Sequence, residues 1–167
     1  MKRFILSTIF ICVAITYSFA QNKKAEKEAE AQAQFGKAVA AIDAKDFVIV
    51  VDTYESSDGT IATNTDDANF LSYEKEFVFL QGIVAGNSYT NRTTVTDYKQ
   101  TVDKKGNVKI EMQVTGSAIK AKIEILLRKG GNYSDVIVTP TKGNTCRFSG
   151  EIIPRTQAKY YKRPNVV

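Results

Sequence analysis

The chain has 167 residues, 43% of them hydrophobic, and a formal net charge of +5, which suits a single domain with a buried core. It contains no histidine, so the commonest general base and the commonest metal ligand of proteins are absent. The modest charge argues against a nucleic-acid binder, whose basic surface is usually stronger. We find no catalytic, metal-binding or cofactor motif, and we expect no catalytic residue, no metal and no cofactor.

Residues 1–20 have the pattern of an export signal. Two basic residues precede an apolar run over residues 4–17, and the small residues Ser18 and Ala20 follow it. We predict that this signal peptide is removed, that the mature chain is periplasmic or secreted, and that no transmembrane span remains. The alternative is an uncleaved membrane anchor, for which the apolar run is short.

The next segment divides into a polar lead and a short amphipathic helix. Residues 21–34 are rich in helix-favouring Ala, Glu, Lys and Gln but lack an apolar stripe, which predicts a solvated helix or a mobile lead. Phe35, Val39 and Ile42 then recur at helical spacing and predict a helix that docks on the domain. We assign residues 35–155 to a single β-rich domain.

Two predicted strands are apolar on both faces. They are Phe47 to Val51 and Phe77 to Leu80. A strand that is buried on both faces needs cover on its outer side. We therefore predict that the helix at 35–44 packs outside the sheet, across these two strands.

The segment between these strands carries several carboxylates. They are Asp52, Glu55, Asp58, Asp66 and Asp67. Clustered carboxylates can bind calcium, but their spacing does not match an EF-hand loop. A solvated, turn-rich loop is the favoured interpretation.

The C-terminal half predicts five antiparallel strands joined by tight turns. Their approximate bounds are 92–102, 107–115, 118–128, 132–139 and 144–153. Taking Gly116-Ser117 as a two-residue loop places Ile110 opposite Ile123 and Glu111 opposite Lys122. One face of this hairpin is then apolar and the other is charged, so a one-residue slip would put charges in the core.

The other turns predict the rest of the register. The Gly130-Gly131 loop places Val138 opposite Ile123, and a three-residue loop ending at Gly143 places Cys146 opposite Val138. In the same way, the turn ending at Gly106 places Tyr98 opposite Met112. Cys146 should then point inward as an inert small hydrophobe rather than a reactive thiol.

This pattern predicts a mainly β fold. An antiparallel meander closes into a small barrel or a strongly curved sheet, with the N-terminal helix packed outside. A barrel of eight strands is just wide enough to be filled by side chains or to hold one small ligand.

The candidate binding residues lie on the strand at 92–102. The side chains expected to point inward are Thr94, Thr96, Tyr98, Gln100 and Val102. Four of the five are polar, and buried polar groups need hydrogen-bond partners. We therefore propose Thr94, Thr96, Tyr98 and Gln100 as a ligand-binding wall, with a polar barrel end satisfied by water as the alternative.

The last residues, 156–167, form a basic tail. The segment holds Lys159, Lys162 and Arg163 beside Tyr160 and Tyr161, without an acidic residue. Such a segment could contact nucleic acid, an anionic envelope surface or a partner, but a solvated tail is the favoured interpretation.

Several segments together resemble one protein family. In chain order they are "AIDAKDFVIVVD", "NFLSYEKEFVFLQG", "KKGNVKIEMQVTGSAIKAKIEILLRKGGN" and "GEIIP". The chain is similar over residues 35–155 to the domain of unknown function 4251 family, which consists of exported proteins of the Bacteroidota. The resemblance implies a β-rich, lipocalin-like fold, and it implies no activity and no functional residue.

Three functions remain open at this point. The leading hypothesis is an exported, non-catalytic β-barrel-like protein that binds a small ligand or an envelope component. The alternative is an envelope protein–protein interaction or assembly module. An enzyme is the third, because Cys146 has no histidine to activate it and no carboxylate pair stands out.

Overall fold

The computed structural model describes the backbone of residues 2–167 and the side chains of residues 23–167. Its elements are α1 (Lys2–Asp43), β1 (Asp46–Val50), β2 (Thr53–Glu55), β3 (Ile61–Thr63), β4 (Phe70–Glu74), β5 (Phe77–Gly82), β6 (Asn87–Val102), β7 (Val108–Gly116), β8 (Lys120–Leu127), β9 (Tyr133–Pro140) and β10 (Cys146–Pro154). The side chains of the predicted signal peptide, residues 1–20, lie outside the described ones, and its cleavage stays a prediction. Among the described residues no helix is long and apolar enough to cross a membrane.

Eight antiparallel strands close into a barrel, as predicted. The order is β1-β4-β5-β6-β7-β8-β9-β10, and β1 also pairs with β10. The closing pair places Val48 opposite Ile153. The β2–β3 hairpin extends the sheet beyond β10, where Tyr54 lies opposite Phe148. The acidic segment is therefore partly a hairpin rather than only a loop.

Three of the four predicted turns give the predicted register. Tyr98 lies opposite Met112, Ile123 opposite Val138, and Cys146 opposite Val138. The turn glycines adopt left-handed backbone angles, with φ of 86° at Gly106 and 105° at Gly143, where a side chain would cost strain. Turn chemistry and hydrophobic alternation therefore fix these strand pairs together.

The predicted register of the β7–β8 hairpin is wrong by two residues. Ile110 lies opposite Ile125, and Glu111 lies opposite Glu124. The loop is Ser117-Ala118, because the Gly116 amide donates to the Ile119 carbonyl at 2.8 Å. Gly116 belongs to β7, where an added Cβ would stand 2.6 Å from the Arg92 carbonyl oxygen. The absence of a side chain at Gly116 therefore lets β7 lie close to β6.

A two-residue shift keeps every side chain on its predicted face, so the apolar face is preserved. Of the ion pairs on the outer face, one crosses diagonally between β7 and β8 and two lie along a single strand, and none joins directly opposed residues. Lys109 Nζ lies 2.8 Å from Glu111 and 3.7 Å from Glu124, and Lys122 Nζ lies 3.2 Å from Glu124. These lysines offset the facing carboxylates of the two strands.

The N-terminal helix packs outside the sheet, as predicted, and covers one end of the barrel. Ala38, Ala41 and Ile42 are buried in the same cluster as the inward side chains of the wall. Beyond them, residues 23–34 continue the helix and are almost all exposed. The helix therefore closes the end of the barrel at which β1 begins.

The helix does not cover the outer faces of the doubly apolar strands, so that part of the prediction is wrong. Val48, Phe70 and Phe79 form a separate outer cluster, and Ala158 and Tyr160 pack against it. The chain after β10 returns along the wall and supplies the cover that the sequence pattern requires.

We call residues 155–167 the C-terminal strap. The prediction of a solvated tail is wrong, because the strap is held on the barrel. Tyr160 packs edge-on against Phe70 at 4.8 Å between ring centroids, and Val166 forms a parallel bridge with Thr90. The strap covers the outer cluster of the barrel wall.

Candidate functional site

Tyr98 and Gln100 point toward the interior, as predicted, but their polar groups are satisfied by the protein. The Tyr98 hydroxyl donates to Gln100 Oε1 at 2.8 Å. Gln100 Nε2 donates to Asp43 Oδ1 at 2.8 Å. These two side chains therefore join the wall to the last residue of α1, and the requirement for partners that suggested a ligand is met by the helix.

The surroundings of Tyr98 are filled. Its ring packs edge-on against Tyr73 at 6.1 Å between centroids, and the Lys45 ammonium lies 4.9 Å from the ring centroid, a cation–π distance. Burial, with smaller contributions from Tyr73 and Asp43, raises the pKa of Tyr98 to about 12. The phenol is therefore neutral and acts as a hydrogen-bond donor near neutral pH.

Thr94 and Thr96 are exposed, so the prediction that they point inward is wrong. A β-bulge interrupts the β6–β7 register between Val95 and Asp97, and it reverses the alternation of side chains. Before the bulge, Thr93 is buried in place of Thr94. The threonine hydroxyls donate to wall carbonyls instead, Thr94 to Thr115 at 3.3 Å and Thr96 to Gln113 at 3.2 Å.

The fifth residue expected to point inward, Val102, is 65% exposed at the end of β6. The structure thus brings together two of the four candidate binding residues, Tyr98 and Gln100, at the end covered by the helix. It places Thr94 and Thr96 on the outer surface.

Large apolar side chains fill the barrel. The inward residues that are essentially inaccessible to solvent are Phe47, Ile49, Leu71, Leu80, Ile110, Met112, Ile123, Ile125, Leu127 and Ile152. Among the described residues no buried side-chain nitrogen or oxygen lacks a hydrogen-bond partner. The interior therefore behaves as a packed core.

The opposite end of the barrel carries an open cleft of about 950 Å³, which we call the mouth cleft. Four connections line it, namely those at residues 56–57, 83–86, 118–119 and 142–145. In an up-and-down meander, alternate connections fall at the same end, so these loops meet although they are far apart in sequence. Mouths of β-barrels are common ligand sites.

The mouth cleft combines an apolar floor with a polar rim. Val84 and Ile119 are buried at its floor, and Tyr54 lines one wall. On the rim, Arg147 Nε lies 3.6 Å from Glu55 Oε2, whereas Lys142 has no carboxylate within ion-pair distance among the described residues. The cleft thus offers apolar surface beside one uncompensated positive charge.

Cys146 also lines the mouth cleft and is half-buried. Burial raises the pKa of its thiol to about 11, so the thiolate needed for nucleophilic chemistry is scarce at neutral pH. The prediction of an inward, inert cysteine is consistent with both the register and this pKa.

The mouth cleft was not predicted from the sequence. The order of the strands could have revealed it, because every second turn of an up-and-down barrel lies at the same end. The turns after β5, β7 and β9 therefore share one end of the barrel. For metal binding, no three Cys, Asp or Glu side chains converge within the described part of the chain.

A family model described as "Domain of unknown function (DUF4251)" matches residues 29–152. The chain belongs to this family. No curated protein matches the chain. The DUF4251 match spans the end of α1 and the whole barrel as far as Ile152, and it leaves the C-terminal strap outside.

The chain is also similar to a solved DUF4251 family protein from Bacteroides eggerthii DSM 20697. The two share 29% sequence identity, and their folds superpose with a TM-score of 0.69. The alignment covers 78% of this chain and 94% of that protein. The barrel described above is therefore the fold of a DUF4251 protein, a family without an assigned activity.

Proposed function

We propose that this protein is an exported, non-catalytic binding protein and that the mouth cleft is its binding surface. The observation that carries the proposal is the difference between the two barrel ends. The interior is filled and α1 covers one end, while the other end holds a cleft of about 950 Å³. A ligand would therefore be held at the rim rather than enclosed as in a hollow barrel.

The lining suggests the kind of ligand. Val84, Ile119 and Tyr54 offer apolar contact, and Lys142 offers an uncompensated charge. A small molecule with an apolar part and an anionic group, or an envelope component with such a group, is complementary to this arrangement. The raised pKa of Cys146 and the absence of histidine support a non-catalytic role.

Anilinonaphthalene sulfonate, which joins aromatic rings to a sulfonate, is a suitable probe. We expect its fluorescence to rise on binding and expect decanoate to displace it. Ala118→Glu should place a bulky negative charge in the mouth cleft and abolish the signal, and Lys142→Glu should weaken it through charge repulsion.

Lys104→Glu is the matched control, because Lys104 is an exposed lysine in the β6–β7 turn at the helix-covered end. It makes the same change in net charge and should leave the signal unchanged. A signal that survives Ala118→Glu in a folded variant, or falls equally with both lysine variants, contradicts the mouth cleft as the site.

An envelope interaction module is the second candidate, and β3 favours it. This short strand ends the sheet, and its Ile61 is 70% exposed beside a small groove lined by Ile137 and Arg147. An exposed sheet edge with an apolar side chain can accept a partner strand. Loss of an envelope complex in Ile61→Lys, with probe binding at the mouth cleft unchanged, would favour this function over the first.

A further inference from the structure

The outer wall of the barrel contains a groove that already holds an extended peptide, the C-terminal strap. Val48, Phe70 and Phe79 form its floor and would be an exposed apolar patch without the strap. Tyr160 of the strap packs edge-on against Phe70 with ring centroids 4.8 Å apart. We call this surface the strap groove.

Charge complementarity selects the peptide that fits the strap groove. Lys162 Nζ lies 2.9 Å from Glu74 Oε1 and 3.2 Å from the ring centroid of Phe79. The side chains of Lys162 and Glu74 are both half-buried, and the Ser72 hydroxyl donates to the same carboxylate oxygen at 2.8 Å. At the start of the strap, Arg155 Nε lies 2.6 Å from Asp46 Oδ1. A basic segment therefore meets an acidic rim.

The strap groove also binds the main chain of the strap through hydrogen bonds. The buried amide of Gln81 donates to the Tyr161 carbonyl at 2.8 Å and accepts from the Arg163 amide at 2.8 Å. This two-point clamp recognises an extended backbone whatever its side chains. Specificity for the peptide sequence then depends on the side chains of Tyr160 and Lys162, which flank Tyr161.

A free strand edge completes the strap groove. β7 pairs with β6 only from Thr93 onward, so the earlier part of β6 has an open edge on that side. The Thr90 amide donates to the Asn165 carbonyl at 3.0 Å, and the Val167 amide donates to the Thr90 carbonyl at 2.9 Å. This is strand addition, a general mode of peptide recognition.

The contacts made from Tyr160 onward do not require the strap and the groove to belong to the same chain, whereas Arg155, next to the end of β10, stays on Asp46 of its own chain. Beyond Arg155 the strap touches the outer surface of the barrel, so a change of course over residues 156–159 would carry it to another molecule. We propose that the strap groove accepts the C-terminal strap of a second copy, so that two chains exchange straps and form a symmetric dimer. Exchange of an identical element is a low-cost route to dimers, since the contacts of the exchanged element are kept.

A charge-reversal experiment tests the exchange with two variants, Lys162→Glu and Glu74→Lys. Each variant alone places like charges between its own strap and groove. In an exchanged dimer of the two variants both sites are repaired, because the two introduced charges meet in one groove and the native Lys162–Glu74 pair forms in the other. We expect each variant alone to be monomeric and their mixture to double in mass, as measured by native mass spectrometry on protein purified from the producing cells.

The matched control carries both substitutions in one chain. It restores the ion pair with the two charges interchanged, so it should dimerise with itself as the unmodified protein does, while either single variant mixed with it should stay monomeric. If a single variant fails to fold, the mass of the unmodified protein is the second measurement, and a monomer there overturns the proposal. A mixture of folded single variants that remains monomeric overturns the proposal and restricts the strap groove to the strap of its own chain.

Discussion

Gly150 of β10 passes so close to the carbonyl oxygen of Val50 in β1 that an added Cβ would overlap that oxygen. The contact lies where β10 changes partner, from β2 at Ser149 to β1 at Ile152. The absence of a side chain at this position lets the two strands meet and close the barrel.

Gly150→Ala should therefore destabilise the protein. Overpacking a tight site typically costs about 1–3 kcal/mol in the free energy of unfolding, and here the clashing atom belongs to the backbone. Chemical denaturation followed by circular dichroism gives the change. Gly131→Ala is the control, because nothing lies within 4 Å of its added Cβ, and an equal loss in both variants would contradict the closure argument.

Ile123→Ala tests whether the inward face of the meander is core. Ile123 is 0% exposed, and truncating a buried isoleucine typically costs about 2–5 kcal/mol in the free energy of unfolding. Ile61→Ala, at a residue that is 70% exposed, should change this free energy by less than about 0.5 kcal/mol. Similar effects at the two positions would show that the assigned faces are wrong.

Cys146 should react slowly with alkylating agents. Its pKa is raised to about 11 by burial, so at about pH 8 we expect alkylation by iodoacetamide roughly a hundredfold slower than for an unhindered thiol. The same protein unfolded in guanidinium chloride is the control and should react at the ordinary rate. Fast labelling of the folded protein would mean that the thiol is activated and would weaken the non-catalytic proposal.

The lowered pKa of Asp58 predicts that the stability of the β2–β3 turn depends on pH. Its carboxylate accepts hydrogen bonds from Ser56 Oγ at 2.5 Å, Thr60 Oγ1 at 2.7 Å and the Thr60 amide at 3.0 Å. These bonds, the one from Ser56 first, lower the pKa of Asp58 from 3.8 to about 2. A carboxyl with a lowered pKa stabilises the fold fully above its unfolded pKa, and this contribution is lost as pH falls through the folded pKa.

An NMR titration of the Asp58 side chain measures this effect. We expect the turn to stay ordered down to about pH 3 and to loosen near pH 2. Ser56→Ala should raise the pKa of Asp58 toward 3.8, because it removes the largest cause of the shift. An unshifted pKa in the unmodified protein would show that this hydrogen-bonded turn does not form in solution.

The predicted export signal implies a defined mature N-terminus. Small residues at Ser18 and Ala20 follow the apolar run, so cleavage after Ala20 should leave Gln21 as the first residue. Mass spectrometry of protein from the envelope fraction checks the site, and Ala20→Leu should block processing. A mature chain that retains Lys2 would favour the membrane-anchor alternative.

The sequence predicted the faces of the strands better than it predicted their pairing. Alternation decides which side chains are buried, and it survives a two-residue slip unchanged, so the β7–β8 register depended on the turn. Gly116 looked like a turn residue by local chemistry. Its actual role, allowing the approach of the Arg92 carbonyl, is set by a strand that is distant in sequence.

The orientation predicted for two of the four candidate binding residues was wrong for a related reason. Thr94 and Thr96 continued an unbroken alternation with Tyr98 and Gln100, and no sequence signal marked the bulge at Thr96. A bulge inserts one residue and reverses all alternation on one side of it, so a single tertiary irregularity moved two of four residues to the surface.

By itself, the sequence determined the β class, three of the four meander turns, the inward face of each strand from β7 to β10 and a helix outside the sheet. These features depend on local turn geometry and on a period of two, which are properties of neighbouring residues. Only the tertiary structure decided which segment covers the outer face of β1 and β5. That segment is the C-terminal strap rather than the helix. It also placed α1 over one barrel end and brought four loops together at the other. Such choices depend on competition between distant segments for the same apolar surface, which local patterns do not encode.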